Sequence, residues 1–326
     1  MRALHGGARD AGAGVIVRDR PHGVRLFFVL RGSVLPRIAG ELATCTGVAL
    51  LVTLTHGFVY QFKVTLTTVP FSLIGLALAI FLGFRNNAAY DRYWEARKLW
   101  GDIVGRSRSL ARQVQMLLDV DGPLAAAKPD DPRRGLLLRA IAFASALRHQ
   151  LRGSDPLPDM RRLLAPDDVA GFAAARNGVD FLLRRNGEVL GALLRAGRLD
   201  AQVAVAIDQT LSGLAAAAVG CERLRNTPLP FAYTLLLHRT AWLYCFLLPF
   251  GLVDTVGVMT PFVVAIVAYT FFGLDALGDE IEEPFGLADN HLPLDALCRV
   301  VESDLREALG DTELPPLLVP VDGRLT

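Results

Sequence analysis

Apolar residues gather in four stretches of the chain, each long enough to cross a lipid bilayer, which takes about 20 mostly apolar residues. These are the segment between Glu41 and Lys63, Val64–Phe84, Leu229–Val253 and Thr255–Leu274. The second and fourth contain no charged residue, His56 is the one residue of the first that titrates near neutral pH, and the third includes His238 and Arg239. The pattern therefore predicts four transmembrane helices.

The segment between the second and third stretches, residues 85–228, repeats its apolar residues with helical spacing and almost no strand alternation. The predicted helices are Arg97–Leu118, Arg133–Leu151, Asp167–Arg176, Val179–Leu194 and Leu199–Arg225. Gly122–Pro123 and residues 129–132 predict a loop. A last helix is expected from Pro293 onward, ending at Pro315–Pro316, so the pattern predicts an all-α protein.

Polar residues between these helices are interpreted as caps and turns. Asp167, Asp168 and Asp200 are expected to cap helix N-termini. Asp155 and Asp159 are expected in turns. His149 lies between two arginines and is expected at the surface. For His238 and Arg239, pairing with an acid or with backbone carbonyls is favoured over exposure to a pore, because charged groups in a membrane span face a partner or a cavity.

The second stretch changes from apolar to charged at Arg85 without a helix-breaking residue. Residues 84–100 contain neither proline nor glycine, and aromatic residues typical of a membrane interface follow the change. Glu95 and Lys98 have the spacing of a helical ion pair. We therefore predict one helix that leaves the membrane and continues into water.

Leu76, Ile80 and Phe84 are spaced by four residues, so they stack along one side of that helix. Small residues flank them: Gly75, Ala77, Ala79 and Gly83. Several copies around an axis would place the three bulky side chains in a ring, and an apolar ring can gate ions by dewetting. The alternative is an ordinary buried span whose apolar side chains face neighbouring helices or lipid.

Basic residues near the ends of spans mark the cytoplasmic side. Residues 1–37 hold seven arginines and two acids, and residues 85–112 hold seven basic residues and three acids. Both termini and the middle segment are therefore expected in the cytoplasm. The predicted divisions are an N-terminal segment (1–37), spans one and two with the pore neck (38–87), a cytoplasmic helical domain (88–228), spans three and four (229–278) and an acidic C-terminal segment (279–326).

Composition agrees with a membrane protein: of 326 residues, 52% are hydrophobic and 21% charged, and the mean hydropathy is +0.35. The net charge of +1 gives no support for nucleic-acid binding. The four cysteines are far apart and suggest neither a disulfide framework nor a metal site. We find no nucleophile–base pair or phosphate-binding loop, so an enzyme is not expected.

Five acids crowd the end of the fourth stretch: Asp275, Asp279, Glu280, Glu282 and Glu283. One interpretation is a cation site or an attractive vestibule, because carboxylates suit hard cations. The other is solvation at the membrane surface, or salt bridges to arginines of the segment 85–112.

Three long motifs resemble the bestrophin family, and its shorter bacterial members most. The motifs are PFSLIGLALAIFLGFRNNAAYDRYWEARKLWG (70–101), GCERLRNTPLPFAYTLLLHRT (220–240) and LDALGDEIEEPFG (274–286), the last followed by NHLPLDALC (290–298). They occur in family order. The resemblance implies a homopentameric ion channel in the bacterial inner membrane, and the family's neck of three apolar rings corresponds to Leu76, Ile80 and Phe84.

The same resemblance implies a second, cytosolic constriction, which falls at Gln202, or at Val203 or Val205 if the helix is shifted. Calcium-gated relatives carry a run of acids after their PFG motif, whereas here only Asp289 is acidic in the next five residues. The calcium site therefore looks incomplete, and neither a calcium requirement nor another cofactor is expected.

Bacterial relatives resembling this chain conduct monovalent cations, so sodium is the expected ion. A chloride channel of the same architecture is the alternative, since apolar neck rings favour neither sign of charge. A secondary transporter is less favoured, because no inverted repeat is visible. A membrane receptor or scaffold would share the spans but carry no current.

Overall fold

The computed structural model describes residues 15–16, 23, 29–30, 32–59, 62–63, 66–118, 131–321 and 323–325. Within them the helices are α1 (Ala39–Leu54), α2 (Thr68–Leu117), α3 (Pro132–Arg152), α4 (Leu157–Leu163), α5 (Pro166–Ala174), α6 (Gly178–Arg195), α7 (Ala201–Asn226), α8 (Phe231–Val256), α9 (Thr260–Glu282) and α10 (Leu294–Ala308). The predicted loop at Gly122–Pro123 and most of the N-terminal segment 1–37 lie outside the described residues.

In the described part of the chain, four two-residue strands form two antiparallel pairs. β1 (Val15–Ile16) pairs with β4 (Arg324–Leu325), and β2 (Phe58–Val59) pairs with β3 (Phe62–Lys63). These pairs are too short to change the class of the fold, so the all-α prediction is confirmed for the described residues.

The chain forms two compact units. One comprises Met1–Arg18, Trp94–Thr227 and Phe285–Thr326, and the other comprises Asp19–Tyr93 and Pro228–Pro284. In the first unit α3 packs against α6 and α10, and its alanine-rich middle, residues 140–147, is wholly buried. In the second unit α1, α8 and α9 pack together around an apolar core that also takes in the first part of α2.

Among the residues that the structure describes, three helical stretches are long and apolar enough to cross a membrane: Val69–Leu117, Ala201–Asn226 and Phe231–Glu282. The third contains two helices, α8 and α9, separated by a single 3-10 turn at Gly257–Met259. The second is α7, which belongs to the predicted cytoplasmic domain. Its alanine content raises the hydropathy, and it packs against α6 within the first unit.

The first predicted span is wrong in its extent. The helix α1 has 16 residues and ends at Leu54, so it is about 24 Å long and shorter than a typical hydrocarbon core. The next residues turn instead, because His56 and Gly57 adopt positive φ angles of 49° and 76°. The short β2–β3 pair follows, where the sequence predicted a continuing helix.

The predicted continuity of the second span is confirmed. The helix α2 has 50 residues and runs from Thr68 to Leu117 without interruption between residues 84 and 95. Glu95, however, does not pair with Lys98 as predicted. Its carboxylate accepts a hydrogen bond from Arg223 of α7 instead, a partner 128 residues away that local spacing cannot indicate.

Helix caps divide into confirmed and incorrect predictions. Asp200 caps α7, and its carboxylate accepts the backbone N–H of Gln202 at 2.8 Å. Asp167 and Asp168 do not cap α5, since Ala165 occupies the cap position. Asp168 is instead buried between two arginines, with Oδ2 at 2.7 Å from Nε of Arg139.

Three other local predictions need correction. His149 is only 15% exposed at its side chain and contacts Asp159 at 3.2 Å, because α4, which the sequence did not predict, covers it. Asp159 belongs to the first turn of α4 rather than to a simple turn, whereas Asp155 accepts the N–H of Leu157 as a turn residue does. The last helix, α10, ends at Ala308 before Gly310, which has a φ of +79°, and not at Pro315.

Candidate pore segment

The side of α2 that carries Leu76, Ile80 and Phe84 is left uncovered by its own chain. These side chains are 61%, 46% and 61% exposed, respectively. The opposite side enters the core of the unit through Phe71, Leu78 and Leu82. A contiguous exposed apolar stripe of this kind marks an interaction surface, a lipid contact or a lumen, so the geometry is compatible with a pore-lining role.

The small residues beside the stripe differ in what they meet. A Cβ atom at Gly75 would lie 2.8 Å from the hydroxyl oxygen of Tyr244, so glycine is needed where α2 approaches α8. A Cβ atom at Gly83 would meet nothing within 4 Å, and Ala77 and Ala79 are exposed. Gly75 therefore serves packing inside the chain, whereas the other three leave room beside the stripe.

Aromatic contacts hold the Phe84 end of the stripe. The ring of Phe84 meets that of Phe81 edge to face at 6.4 Å between centroids, and Phe81 meets Tyr233 of α8 at 6.5 Å. The Tyr233 hydroxyl donates a hydrogen bond to the carbonyl oxygen of Phe81 at 2.8 Å. These contacts tie this turn of α2 to α8.

Arg85 follows Phe84 directly but is turned into the unit. Its side chain is fully buried, and Nη1 lies 2.6 Å from Oδ1 of Asp275 on α9. Nη2 donates a hydrogen bond to Asp279 and lies 3.8 Å from the carboxylate of Glu282. A buried guanidinium requires such partners, because an isolated charge in a low-dielectric interior is very costly.

Asp275 is shared between Arg85 and His238. Its second oxygen, Oδ2, lies 2.8 Å from Nδ1 of His238 on α8, and Nε2 of His238 accepts the indole N–H of Trp242 at 3.2 Å. Because an indole nitrogen can only donate, Nε2 must be the acceptor and Nδ1 must carry the proton that Asp275 accepts. The predicted pairing of His238 with an acid is confirmed. The sequence did not indicate that the acid is Asp275 or that Trp242 donates a hydrogen bond to His238.

For three of the five acids, the salt-bridge interpretation matches the structure. Asp275, Asp279 and Glu282 surround Arg85, and Glu282 also accepts the backbone N–H of Leu229 at 2.9 Å. The backbone carbonyl of Glu282 further accepts a hydrogen bond from Arg92. Glu283 is exposed and Glu280 is half-buried. Three members of the cluster thus surround the side chain of Arg85.

The candidates for the second constriction lie at the start of α7. Gln202 and Val205 are exposed, the latter by 56%, whereas Val203 is half-buried. The side chain of Gln202 is therefore free of the apolar core of its own unit. A polar residue occupies the position at which the resemblance implies an apolar one.

The loop after the PFG motif is held by β1 and β4. Asp289 pairs with Arg324 of β4 at 3.0 Å, and its carbonyl accepts the backbone N–H of Ile16 in β1 at 2.8 Å. Among the residues that the structure describes, no group of three or more His, Cys, Asp or Glu side chains is arranged for a metal ion.

The cysteines outside the predicted spans are buried and protonated at neutral pH. Burial raises the pKa of Cys221 to about 12, and nearby Glu222 contributes to the shift. Burial likewise raises the pKa of Cys298 to about 12. A thiol must ionise to act as a nucleophile, so neither residue is suited to covalent catalysis.

Comparison with known proteins places this arrangement in a family. The family model described as "Bacterial/Fungal Bestrophin protein" matches residues 15–307. A voltage-dependent anion channel-forming protein of Mesorhizobium japonicum, mll4386, is 46% identical over 94% of this chain and 96% of its own. The corresponding protein of Escherichia coli K12, YneE, is 39% identical over 94% of this chain and 98% of its own.

Solved structures agree with the sequence relatives. The crystal structure of a bacterial bestrophin homologue from Klebsiella pneumoniae superimposes with a TM-score of 0.79 at 40% identity, covering 85% of this chain and all of that one. A point-substituted variant of the Klebsiella pneumoniae homologue gives a TM-score of 0.78, also at 40% identity, over 84% of this chain and all of that one. The chain therefore belongs to the bacterial and fungal bestrophin family.

Proposed function

We propose that the protein is an ion channel in which several copies, five by family resemblance, surround a central pore lined by α2. The observation that carries the proposal is the stripe of Leu76, Ile80 and Phe84, which lies on the broad exposed side of α2, opposite the side that packs into the core through Leu78 and Leu82. Relatives that share most of its length are named channel-forming proteins. A ring of these side chains would form the neck.

The neck would control conduction by excluding water from an apolar passage rather than through fixed charge. Bulky apolar side chains around a narrow passage disfavour water, and an ion that enters must shed part of its hydration shell. The nearest charge along the chain, Arg85, is buried and neutralised by acids on α9. It therefore supports the wall of the neck without presenting a free charge to its lumen.

In the membrane we assign four spans: α1, the first part of α2, α8 and α9. The divisions are those predicted, with segments 38–87 and 229–278 in the inner membrane and both termini with residues 88–228 in the cytoplasm. The short α1 would need a locally thin bilayer or help from flanking residues to cross fully. The alanine-rich α7 remains cytoplasmic in this assignment.

For selectivity we favour anions over the sodium ions expected from the resemblance. The relatives are named voltage-dependent anion channel-forming proteins. In addition, Asp275, Asp279 and Glu282, which could have attracted cations, surround Arg85 instead. The acidic cluster thus offers less net negative charge to a permeating cation than its sequence suggests.

Two finer features complete the proposal. Gln202, or Val203 or Val205, would line a second constriction that is more polar than the neck. Opening would not require calcium, because the loop after PFG has Asp289 as its only acid in five residues and pairs it with Arg324.

Currents from purified protein in planar bilayers test the proposed function. The protein should carry a voltage-driven current that does not saturate as a transporter would and that persists when calcium is chelated. Saturable uptake coupled to a second ion would instead identify a transporter. A complete lack of current, even after Leu76, Ile80 and Phe84 are shortened to alanine, would favour a receptor or scaffold.

A further inference from the structure

We propose that Asp275 and His238 are positioning residues for the neck: through Arg85 they fix the rotation of α2 about its own axis and thereby the direction in which Phe84 points. The inference rests on the proposed function, since it assigns these residues a part in shaping the pore. It joins three helices, α2, α9 and α8, all within one compact unit.

The geometry of an α-helix links Arg85 to the stripe. Successive residues are about 100° apart around the axis, so the stripe from Phe84 back to Leu76 lies about 100° to 180° away from Arg85. A guanidinium held inside the unit therefore directs the stripe away from it. A rotation of α2 that brought Phe84 inward would pull Arg85 out of its site.

The site of Arg85 is itself aligned by a chain of hydrogen bonds. Trp242 donates to His238, His238 donates to one oxygen of Asp275, and Arg85 donates to the other at 2.6 Å. Each carboxylate oxygen of Asp275 thus has its own donor, and the carboxylate plane cannot turn freely. Arg85 Nη1 also lies 3.3 Å from the backbone carbonyl of Asp275, which ties the guanidinium to the main chain of α9.

Asp279 and Glu282 complete the site but hold it less firmly. The side chain of Asp279 is 40% exposed and Glu282 lies 3.8 Å from the guanidinium, whereas Asp275 is 7% exposed. Ion pairs weaken with exposure to solvent. Asp275 is therefore the principal anchor, and His238, which is hydrogen-bonded to Asp275, acts through it.

Substituting His238 can separate the positioning of Phe84 from an effect on folding. Its side chain is 46% exposed, so a substitution there does not leave a buried cavity. His238→Leu removes the donor to Asp275, whereas His238→Asn keeps an N–H close to the place of Nδ1. Thr240→Val is the matched control, because the Thr240 hydroxyl donates to the carbonyl of Leu236 in the same helix.

The test measures the rate at which a water-soluble thiol reagent modifies Phe84→Cys in the full-length protein reconstituted in liposomes. The native cysteines at 45, 221, 245 and 298 are all buried, so the introduced thiol dominates the signal. Loss of a hydrogen bond of ordinary strength shifts an equilibrium by about fivefold. We expect His238→Leu to change the modification rate by about that factor, and His238→Asn and Thr240→Val to leave it near the parent value.

The proposal is overturned if His238→Leu reacts at the parent rate. It is also overturned if His238→Leu, His238→Asn and Thr240→Val all change the modification rate by the same factor. A thiol placed at Val258, which is 85% exposed in the turn between α8 and α9, should react at one rate throughout and reports the integrity of the protein. The modification rate is read without any current. If the parent carries no current the proposed function fails, while the labelling result still decides whether Asp275 and His238 position Phe84.

Discussion

Arg85 of α2 and Asp275 of α9 form a buried ion pair across 190 residues of sequence, with 2.6 Å between Nη1 and Oδ1. Their side chains are 0% and 7% exposed. The pair lies immediately beside the exposed stripe that ends at Phe84. The pair therefore links the contact between α2 and α9 to the position of the stripe that we propose lines the pore.

Asp275→Asn should therefore destabilise the protein strongly. Removing one partner leaves a buried charge without its main counter-ion, which typically costs about 3–5 kcal/mol. The measurement is the midpoint of unfolding of the detergent-solubilised protein. Asp254→Asn is the control, because Asp254 forms an exposed pair with Lys63 and such pairs contribute at most about 1 kcal/mol. Equal losses for the two variants would contradict the assigned importance of the buried pair.

Leu76→Ala, Ile80→Ala and Phe84→Ala should each raise the unitary conductance, since a shorter side chain widens the neck and makes it less apolar. Leu78→Ala, on the opposite side of the same helix and 3% exposed, should leave conductance unchanged. It should instead lower stability by about 2–5 kcal/mol, as large-to-small changes in a core do. Single-channel recording and thermal unfolding distinguish the two sides. Conductance increases from Leu78→Ala alone would place the pore elsewhere.

Two glycines of α6 should respond oppositely to alanine. A Cβ atom at Gly178 would overlap the ring of Phe172, which is itself 8% exposed, so Gly178→Ala should cost about 1–3 kcal/mol. A Cβ atom at Gly187 would meet nothing within 4 Å, and alanine is about 1 kcal/mol better than glycine inside a helix. Gly187→Ala should therefore be neutral or stabilising. Denaturant unfolding of both variants checks this, and the reverse order would show that the packing of α5 on α6 is misplaced.

Acid should weaken the first unit through Glu302. Burial favours a higher pKa for this carboxyl, but hydrogen bonds and charges from Arg162 and Arg306 outweigh it and leave the pKa below the ordinary value of 4.5. The unfolded chain then takes up its proton first as pH falls. The stability from Glu302 is thus fully present above pH 4.5 and is lost as pH falls through the lowered pKa.

Glu302→Gln should accordingly lower stability at neutral pH and flatten its decline below pH 4.5. The exposed Glu313, changed in the same way, serves as the control and should do neither. Unfolding midpoints measured between neutral pH and strong acid give the comparison. Parallel pH profiles for Glu302→Gln and the parent protein would exclude this contribution.

Much of the helical layout could be predicted from local pattern. The unbroken α2 follows from the lack of glycine and proline across residues 84–100, and the cap at Asp200 follows from the residue type before an apolar repeat. Both depend on neighbours within one or two turns of the chain. Local pattern therefore sufficed for them, and for placing Leu76, Ile80 and Phe84 along one side of a helix.

Contacts between residues far apart in sequence could not be predicted from local pattern. The carboxylate of Glu95 had two candidate partners, Lys98 on its own helix and Arg223 on α7. Helical spacing alone favoured Lys98, whereas the structure pairs Glu95 with Arg223. Asp168 looked like a cap because it follows a proline, yet it lies buried between Arg139 and Arg185. The early end of α1 reflects the turn at His56 and Gly57, in a stretch whose hydropathy gives no sign of it.

The reversal potential of the purified protein under a salt gradient tests the central claim most directly. With NaCl more concentrated on one side of a planar bilayer, an anion channel passes no net current near the chloride equilibrium potential. We predict a reversal potential with the sign of that chloride value, unchanged when calcium is removed from both sides. A reversal potential with the sign of the sodium equilibrium potential would contradict anion selectivity, and a bilayer without current would contradict the channel itself.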